Sequence, residues 1–279
     1  MFNTIISAAE LSEQLTNPNW QVIDCRHDLK DTEAGRRAFG EGHIPGAVYA
    51  HLDEDLSGPI IPGETGRHPL PCVTAMEQQF SKWGIDENVQ VVVYDDKRGA
   101  ISSRLWWMLR YLGHSSVAVL DGGLAAWSSQ GGALEQEQQQ PASRNFKAHV
   151  NADWTLDATD VNTARTDVQQ VVVDSRAAAR YRGEIEPIDP VAGHVPGAIN
   201  LPFADNWQEN GLLKSEEELR QRFAGLPAAE QTTFYCGSGV TACHNLLAYA
   251  YAGLGNARLY PGSWSDWITD DQREVVTGA

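Results

Sequence analysis

Four short motifs occur twice in this chain, in the same order each time, and any fold it adopts has to accommodate that duplication. An apolar run ending in Asp-x-Arg appears as Val22-Ile23-Asp24-Cys25-Arg26 and again as Val172-Val173-Asp174-Ser175-Arg176. Gly42-His43-Ile44-Pro45-Gly46-Ala47 is matched by Gly193-His194-Val195-Pro196-Gly197-Ala198. A β-rich run closing on Tyr is Val91-Val92-Val93-Tyr94 in the first half and Thr232-Thr233-Phe234-Tyr235 in the second. The last pair is Gly122-Gly123-Leu124-Ala125-Ala126-Trp127 against Gly262-Ser263-Trp264-Ser265-Asp266-Trp267. The copies are offset by 150 or 151 residues at the first two motifs and by 141 or 140 at the last two, so the first copy carries about ten extra residues between its second and third motifs.

Short β-branched runs alternate with helical stretches such as Ser103 to Leu112, closed by Gly113, and Val240 to Ala252, closed by Gly253. That rhythm is the βαβ pattern of a parallel sheet covered by helices on both faces. The expectation is an α/β chain of two tandem domains, over residues 1–135 and 156–279, joined by a linker over 136–155. The stretch from Gln130 to Ala152 has Gly-Gly, a Glu/Gln-rich run and Pro141 but no apolar period, which suits an exposed connector.

The formal net charge of −16 opposes phosphate backbones and anionic lipid surfaces, so neither nucleic acid nor membrane is expected as a partner. Met1 to Leu15 contains no Lys or Arg and no signal-length apolar run, and no later window approaches a spanning segment, so a cytoplasmic location is expected. Four cysteines, Cys25, Cys72, Cys236 and Cys243, are too few and too irregularly spaced for a disulfide framework, and no CxxC pair suggests zinc.

Within a duplicated chain, a feature of both copies reads as scaffold and a feature of one copy reads as function. His43 and His194, and the two Asp-x-Arg pairs, fall on the scaffold side. After the third strand the copies diverge: Asp95-Asp96-Lys97-Arg98-Gly99-Ala100 in the first, Cys236-Gly237-Ser238-Gly239-Val240-Thr241 in the second. Only the second offers a nucleophile. A Cys at the carboxyl end of a parallel strand, on a Gly-x-Gly turn opening a helix, sits where open α/β sheets bind ligands. Amide N–H groups curled around it and the helix N-terminus both favour a thiolate, and a persulfide anion equally.

With CGSGVT at 236–241, the GHIPGA and GHVPGA pair and the LDGGLAAW and YPGSWSDW segments, nearly the whole chain resembles the tandem rhodanese/3-mercaptopyruvate sulfurtransferase family. The resemblance implies an inactive first copy and a second copy whose Cys236 carries sulfur, with Gly237, Gly239, Val240 and Thr241 lining the donor. CGSGVT looks like the mercaptopyruvate branch, since the thiosulfate branch typically places two basic residues after the Cys. It further implies that Ser238, His68 and Asp53 form a proton relay and that Arg180 holds the donor's carboxylate. The family's second substrate Arg falls where this chain has Ile188, which leaves Arg182 as the nearby substitute. A small anionic sulfur donor, and cyanide, a small thiol or a thioredoxin-like protein as acceptor, are the implied partners, with no metal or organic cofactor. Two rivals stand beside this: thiosulfate as donor, and a persulfide-carrying or regulatory module without fast turnover. A Cys-dependent phosphatase would need C-x5-R, but the sixth residue after Cys236 is Ala242.

Overall fold

The computed structural model describes residues 1–278, which fall into two compact units. The first comprises residues 1–58 and 71–151; the second comprises 152 onward together with 59–70, a segment that interrupts the first unit in sequence.

The first unit contains the strands β1 (Ile5–Ile6), β2 (Trp20–Asp24), β3 (Val48–Tyr49), β4 (Gln90–Tyr94) and β5 (Val117–Leu120), in the order β1-β5-β4-β2-β3 with every pairing parallel. Its helices are α1 (Ala8–Ser12), α2 (Ala34–Glu41), α3 (Val73–Lys82), α4 (Ser102–Tyr111) and α5 (Gly123–Ser129). Because successive strand residues face opposite ways, β4 has two apolar faces to bury. Val92 and Tyr94 pack with Leu11, Phe39 and Trp127 of α1, α2 and α5. Val91 and Val93, on the other face, are equally buried, and α4 packs along β4 and β5. Such a strand reads as one continuous apolar run, as Val91 to Val93 does.

The second unit repeats this plan with β6 (Val171–Asp174), β7 (Ile199–Asn200), β8 (Thr232–Tyr235) and β9 (Arg258–Leu259), ordered β7-β6-β8-β9 and parallel throughout. Its helices are α6 (Ala158–Ala164), α7 (Ala178–Tyr181), α8 (Glu216–Arg222), α9 (Ala242–Tyr251) and α10 (Ser263–Trp267). Tyr235, Trp264 and Trp267 bury one sheet face with α6, while Phe234 meets Phe223 and Tyr249 on the other.

The motifs shared by both copies are structural pins. Arg26 and Arg176 each clamp the Asp two residues back, at 2.6 Å, and donate to a carbonyl of the Gly-His turn, Gly42 at 2.8 Å and Gly193 at 2.7 Å. His43 stacks on Phe39 with its Nδ1 2.8 Å from Phe39 O; His194 stacks on Tyr181 with Nδ1 2.7 Å from Tyr181 O. Helices α4 and α9 end at Gly113 and Gly253, whose φ values of 86° and 74° lie in the left-handed region glycine fills without strain. The connector residues 136–151 are coil, yet they lie with the first unit: Phe146 is buried edge-on against Phe80, and Arg144 pairs with Asp86. One buried Phe has no period that a sequence pattern would reveal. No helix among the described residues is long and apolar enough to cross a membrane.

Candidate active site

In the second sheet the chain leaves β6 to form β7 on one side and returns to form β8 on the other. Ligands in such sheets bind outside the strand carboxyl ends at this reversal. Arg176 and Arg180 follow the end of β6, and Cys236 follows the end of β8.

Cys236 begins a six-residue loop that ends at the first turn of α9. Its thiol is 2 % exposed, and burial, the largest single influence, pushes its pKa up. Hydrogen bonds from the Thr241 hydroxyl and from the Ser238, Ala242 and Gly239 amides outweigh that and leave it below the ordinary thiol value. Cys25, just as buried, goes strongly the other way: burial raises it and Asp24, Asp95 and Asp55 push further. Burial alone therefore does not make a reactive thiol; inward-facing N–H groups at a helix start do.

The two loop glycines have different duties. Gly239 sits at φ 75°, so the turn itself demands it. Gly237 is not in that region; a Cβ there would meet Arg67 Nη2 at 3.0 Å and both Arg180 Nη atoms at 3.5 Å. Its bareness admits two guanidinium groups beside the residue that follows the nucleophile.

A second turn braces the loop. Ser263 Oγ accepts the Cys236 N–H at 3.1 Å, the Trp264 N–H donates to Cys236 O at 3.0 Å and the Ser265 N–H to Gly237 O at 2.9 Å. Ser263 holds φ 56°, a costly conformation for a residue with a Cβ, and donates its own hydroxyl to Tyr260 O at 2.9 Å. At the matching position the first copy has Gly123, at φ 59°. Ser265 Oγ also accepts the Arg67 N–H at 3.0 Å, and Gly66 lies so close that a Cβ would fall 2.6 Å from that oxygen. The segment 59–70 is thereby docked, and it brings His68, 6 % exposed, to place Nδ1 2.7 Å from Ser238 Oγ.

Of the expected residues, Cys236, Gly237, Ser238, Gly239, Val240, Thr241, His68 and Arg180 all belong to the second unit, and the structure joins His68 to Ser238 directly. Asp53 belongs to the first unit, after β3, with Oδ2 4.0 Å from His27 Nε2 and its N–H donating to His51 Nδ1 at 3.2 Å. His27, His51 and Asp53 have ligand atoms within 4.8 Å of one another, the spacing of a metal group. His51 is already engaged at both ring nitrogens, however, since Nε2 lies 3.0 Å from Thr32 O. The four cysteines form no disulfide.

Arg180 is held by Glu186, which accepts from its Nε at 3.1 Å and Nη2 at 2.8 Å, and by Asp189 at 3.1 Å. Burial pushes the Glu186 carboxyl up, but hydrogen bonds from Arg180 and from the Asp189 and Ile188 amides leave it below the usual range. Arg182 does not replace the missing cation at Ile188. It lies outward in an exposed pair with Glu184 at 2.7 Å, because residues two apart on a helical turn, such as 180 and 182, point to nearly opposite sides. Arg67, Asp189, Ser263 and Ser265 join the site beyond the residues expected from the sequence. The last two carried a usable signal, being polar where the first copy has Gly123 and Ala125.

Both halves match the model of the Rhodanese-like domain, at residues 7–130 and 157–270. A probable 3-mercaptopyruvate sulfurtransferase of Pseudomonas aeruginosa is 44 % identical over 98 % of each chain. A putative thiosulfate sulfurtransferase of Mycobacterium tuberculosis is 37 % identical over 98 % of this chain and 97 % of its own. Among solved structures, that of SseA from Escherichia coli, described as a 3-mercaptopyruvate sulfotransferase, superposes with a TM-score of 0.82 at 32 % identity, covering 95 % of this chain and all of that one.

Proposed function

The chain belongs to the rhodanese-like family as a tandem sulfurtransferase, and on that premise we propose that it moves sulfur from 3-mercaptopyruvate through a Cys236 persulfide to a thiol or cyanide acceptor. The observation that carries the reading is the Cys236 sulfur itself, buried in a ring of N–H donors with the Thr241 hydroxyl, so that its negative form is favoured away from water.

Arg180 anchors the donor's carboxylate, and the Cys236 thiolate attacks the donor's sulfur. The new S–S bond forms as the C–S bond breaks, and the electron pair stays on carbon as the enolate of pyruvate. That carbon then takes the proton that the donor's thiol gives up, for which the hydrogen-bonded Ser238 and His68 pair is the available path. The persulfide anion keeps the charge the thiolate had, one sulfur farther out. An acceptor nucleophile attacks the outer sulfur and restores the thiolate. Cyanide, a small thiol or a reduced thioredoxin-like protein all supply that chemistry. Neutral Gly237 and Ser238 favour a monoanionic donor over a dianion such as thiosulfate, and the name carried by the P. aeruginosa relative supports the same donor.

Intact mass after incubation with each donor is the test: one added sulfur atom, absent from Cys236→Ala, is expected. Residual turnover in Cys236→Ala would place the nucleophile elsewhere. A higher kcat/KM for thiosulfate than for mercaptopyruvate would overturn the choice of donor.

A further inference from the structure

Asp189 is buried, and its carboxylate collects three guanidinium hydrogen bonds. Arg67 donates from Nε to Oδ1 at 2.8 Å and from Nη2 to Oδ2 at 3.1 Å, and Arg180 Nη2 donates to the same Oδ2 at 3.1 Å. One oxygen thus fixes the spacing of two arginines that arrive on different stretches of chain. Both face Gly237, next to the nucleophile, as the near contacts of a Cβ built there demonstrate. Arg67 Nη1 and Arg180 Nη1 make no hydrogen bond to any described residue, so each guanidinium retains donors for something else.

Arg67 is not needed merely to hold its own segment. The Arg67 N–H is already tied to Ser265, Gly66 is packed on the same turn, and His68 is bonded to Ser238. Its side chain is 29 % exposed, unlike Asp189 at 1 %, so it reaches from solvent to the loop. Charge around the pair is close to balance: Arg67 and Arg180 are offset by Asp189 and Glu186, while Arg176 is matched by Asp174. What remains is a set of directed donors with little net field, which suits a monocarboxylate better than a dianion.

We propose that Arg67 is the second anchor of the donor's carboxylate, beside Arg180, and that Asp189 is the positioning residue that sets Arg67 and Arg180 at one spacing. The proposal rests on the reading of a carboxylate-bearing donor held at Arg180. In this arrangement the cations come to the loop from outside it, and the loop residue stays bare so that they can approach.

The test uses the full chain and two thiol donors with the same C–S bond beside a ketone: 3-mercaptopyruvate, and a mercaptoketone lacking the carboxylate. Turnover of mercaptopyruvate by the unmodified chain is measured first, so a failure of the donor reading appears there and a failure of this one only in the variants. Arg67→Met is expected to lower kcat/KM for mercaptopyruvate about tenfold or more, through KM, as expected for losing a charge-assisted hydrogen bond. The mercaptoketone should lose less than about threefold, which also certifies the fold, and Arg67→Lys should recover part of the loss. Asp189→Asn should raise KM for mercaptopyruvate without a matching fall in mercaptoketone turnover. An equal loss with both donors, or none with mercaptopyruvate, would overturn the assignment and leave Arg67 a structural cation.

Discussion

Asp95 allows the cradle idea to be measured apart from catalysis. It stands in the first unit where Cys236 stands in the second, directly after the Tyr that ends the third conserved strand. Its Oδ1 accepts the N–H groups of Lys97 and Gly99 and its Oδ2 those of Ile101 and Ser102, all at 2.8 Å, and the residue is 0 % exposed. The first loop is therefore also an anion nest, filled by a carboxylate of its own chain. Asp95→Ala would strand four donors, those of Gly99, Ile101 and Ser102 buried and that of Lys97 partly so. At about 1–3 kcal/mol per unmet group, and with water entering the vacated space to meet some of them, a net cost of about 3–5 kcal/mol follows. For a unit of this size that lowers its melting transition by roughly 10–15 °C.

Asp95→Asn is the more discriminating change, because it keeps the volume. One amide oxygen retains two of the four bonds, but the NH2 group then points at two N–H donors. A cradle that favours negative charge predicts a cost of about 2–4 kcal/mol in denaturant unfolding, close to that of the alanine variant. A loop that merely packs predicts little change. A loss below about 1 kcal/mol for Asp95→Asn would refute the reasoning and, with it, the argument that similar geometry holds a thiolate at Cys236.

Thr241→Val keeps the shape beside Cys236 while removing the hydroxyl from its sulfur. The Cys236 pKa should rise toward the ordinary thiol value of about 8.5, and the rising limb of kcat/KM against pH should move up with it, as followed by ultraviolet thiolate absorbance. Because the folded-state pKa is depressed, the thiolate stabilises the fold above the unfolded pKa, and that contribution fades as pH falls through the folded value; in Thr241→Val the pH-dependent part should shrink. An unmoved limb would show that the amides alone hold the charge. Ser263→Gly relieves a left-handed residue but removes the acceptor of the Cys236 N–H, so unfolding should stay within about 1 kcal/mol of the parent while persulfide formation slows about fivefold. A stability loss above about 2 kcal/mol with an unchanged rate would make Ser263 a packing residue.

The duplication made most of the fold legible, because a motif repeated at a nearly constant offset reports the same strand, turn or ring stack twice. His43 and His194 stack and bond alike in their two units, so treating shared features as scaffold holds at those positions. The same comparison exposed Cys236 through what replaces it, Asp95, and it reached Ser263 and Ser265 too, where Gly123 and Ala125 stand in the first copy. Arg67 and Asp189 lay outside its reach. They are 122 residues apart in sequence, and Arg67 sits in the stretch by which the first copy is longer, so it has no counterpart to differ from.

That blind spot has a physical origin. Internal comparison detects a side chain that replaces another at a fixed backbone position. It cannot detect a segment such as 59–70 that is added to one copy in sequence and packs with the other copy in space. Such a segment can bring a cation to a loop that has none of its own, and the trace it leaves on the loop is negative: a glycine at 237 whose backbone angles do not call for one. A glycine without a conformational reason is thus a pointer to something that approaches from elsewhere, and here the approaching group is a pair of arginines set by one carboxylate.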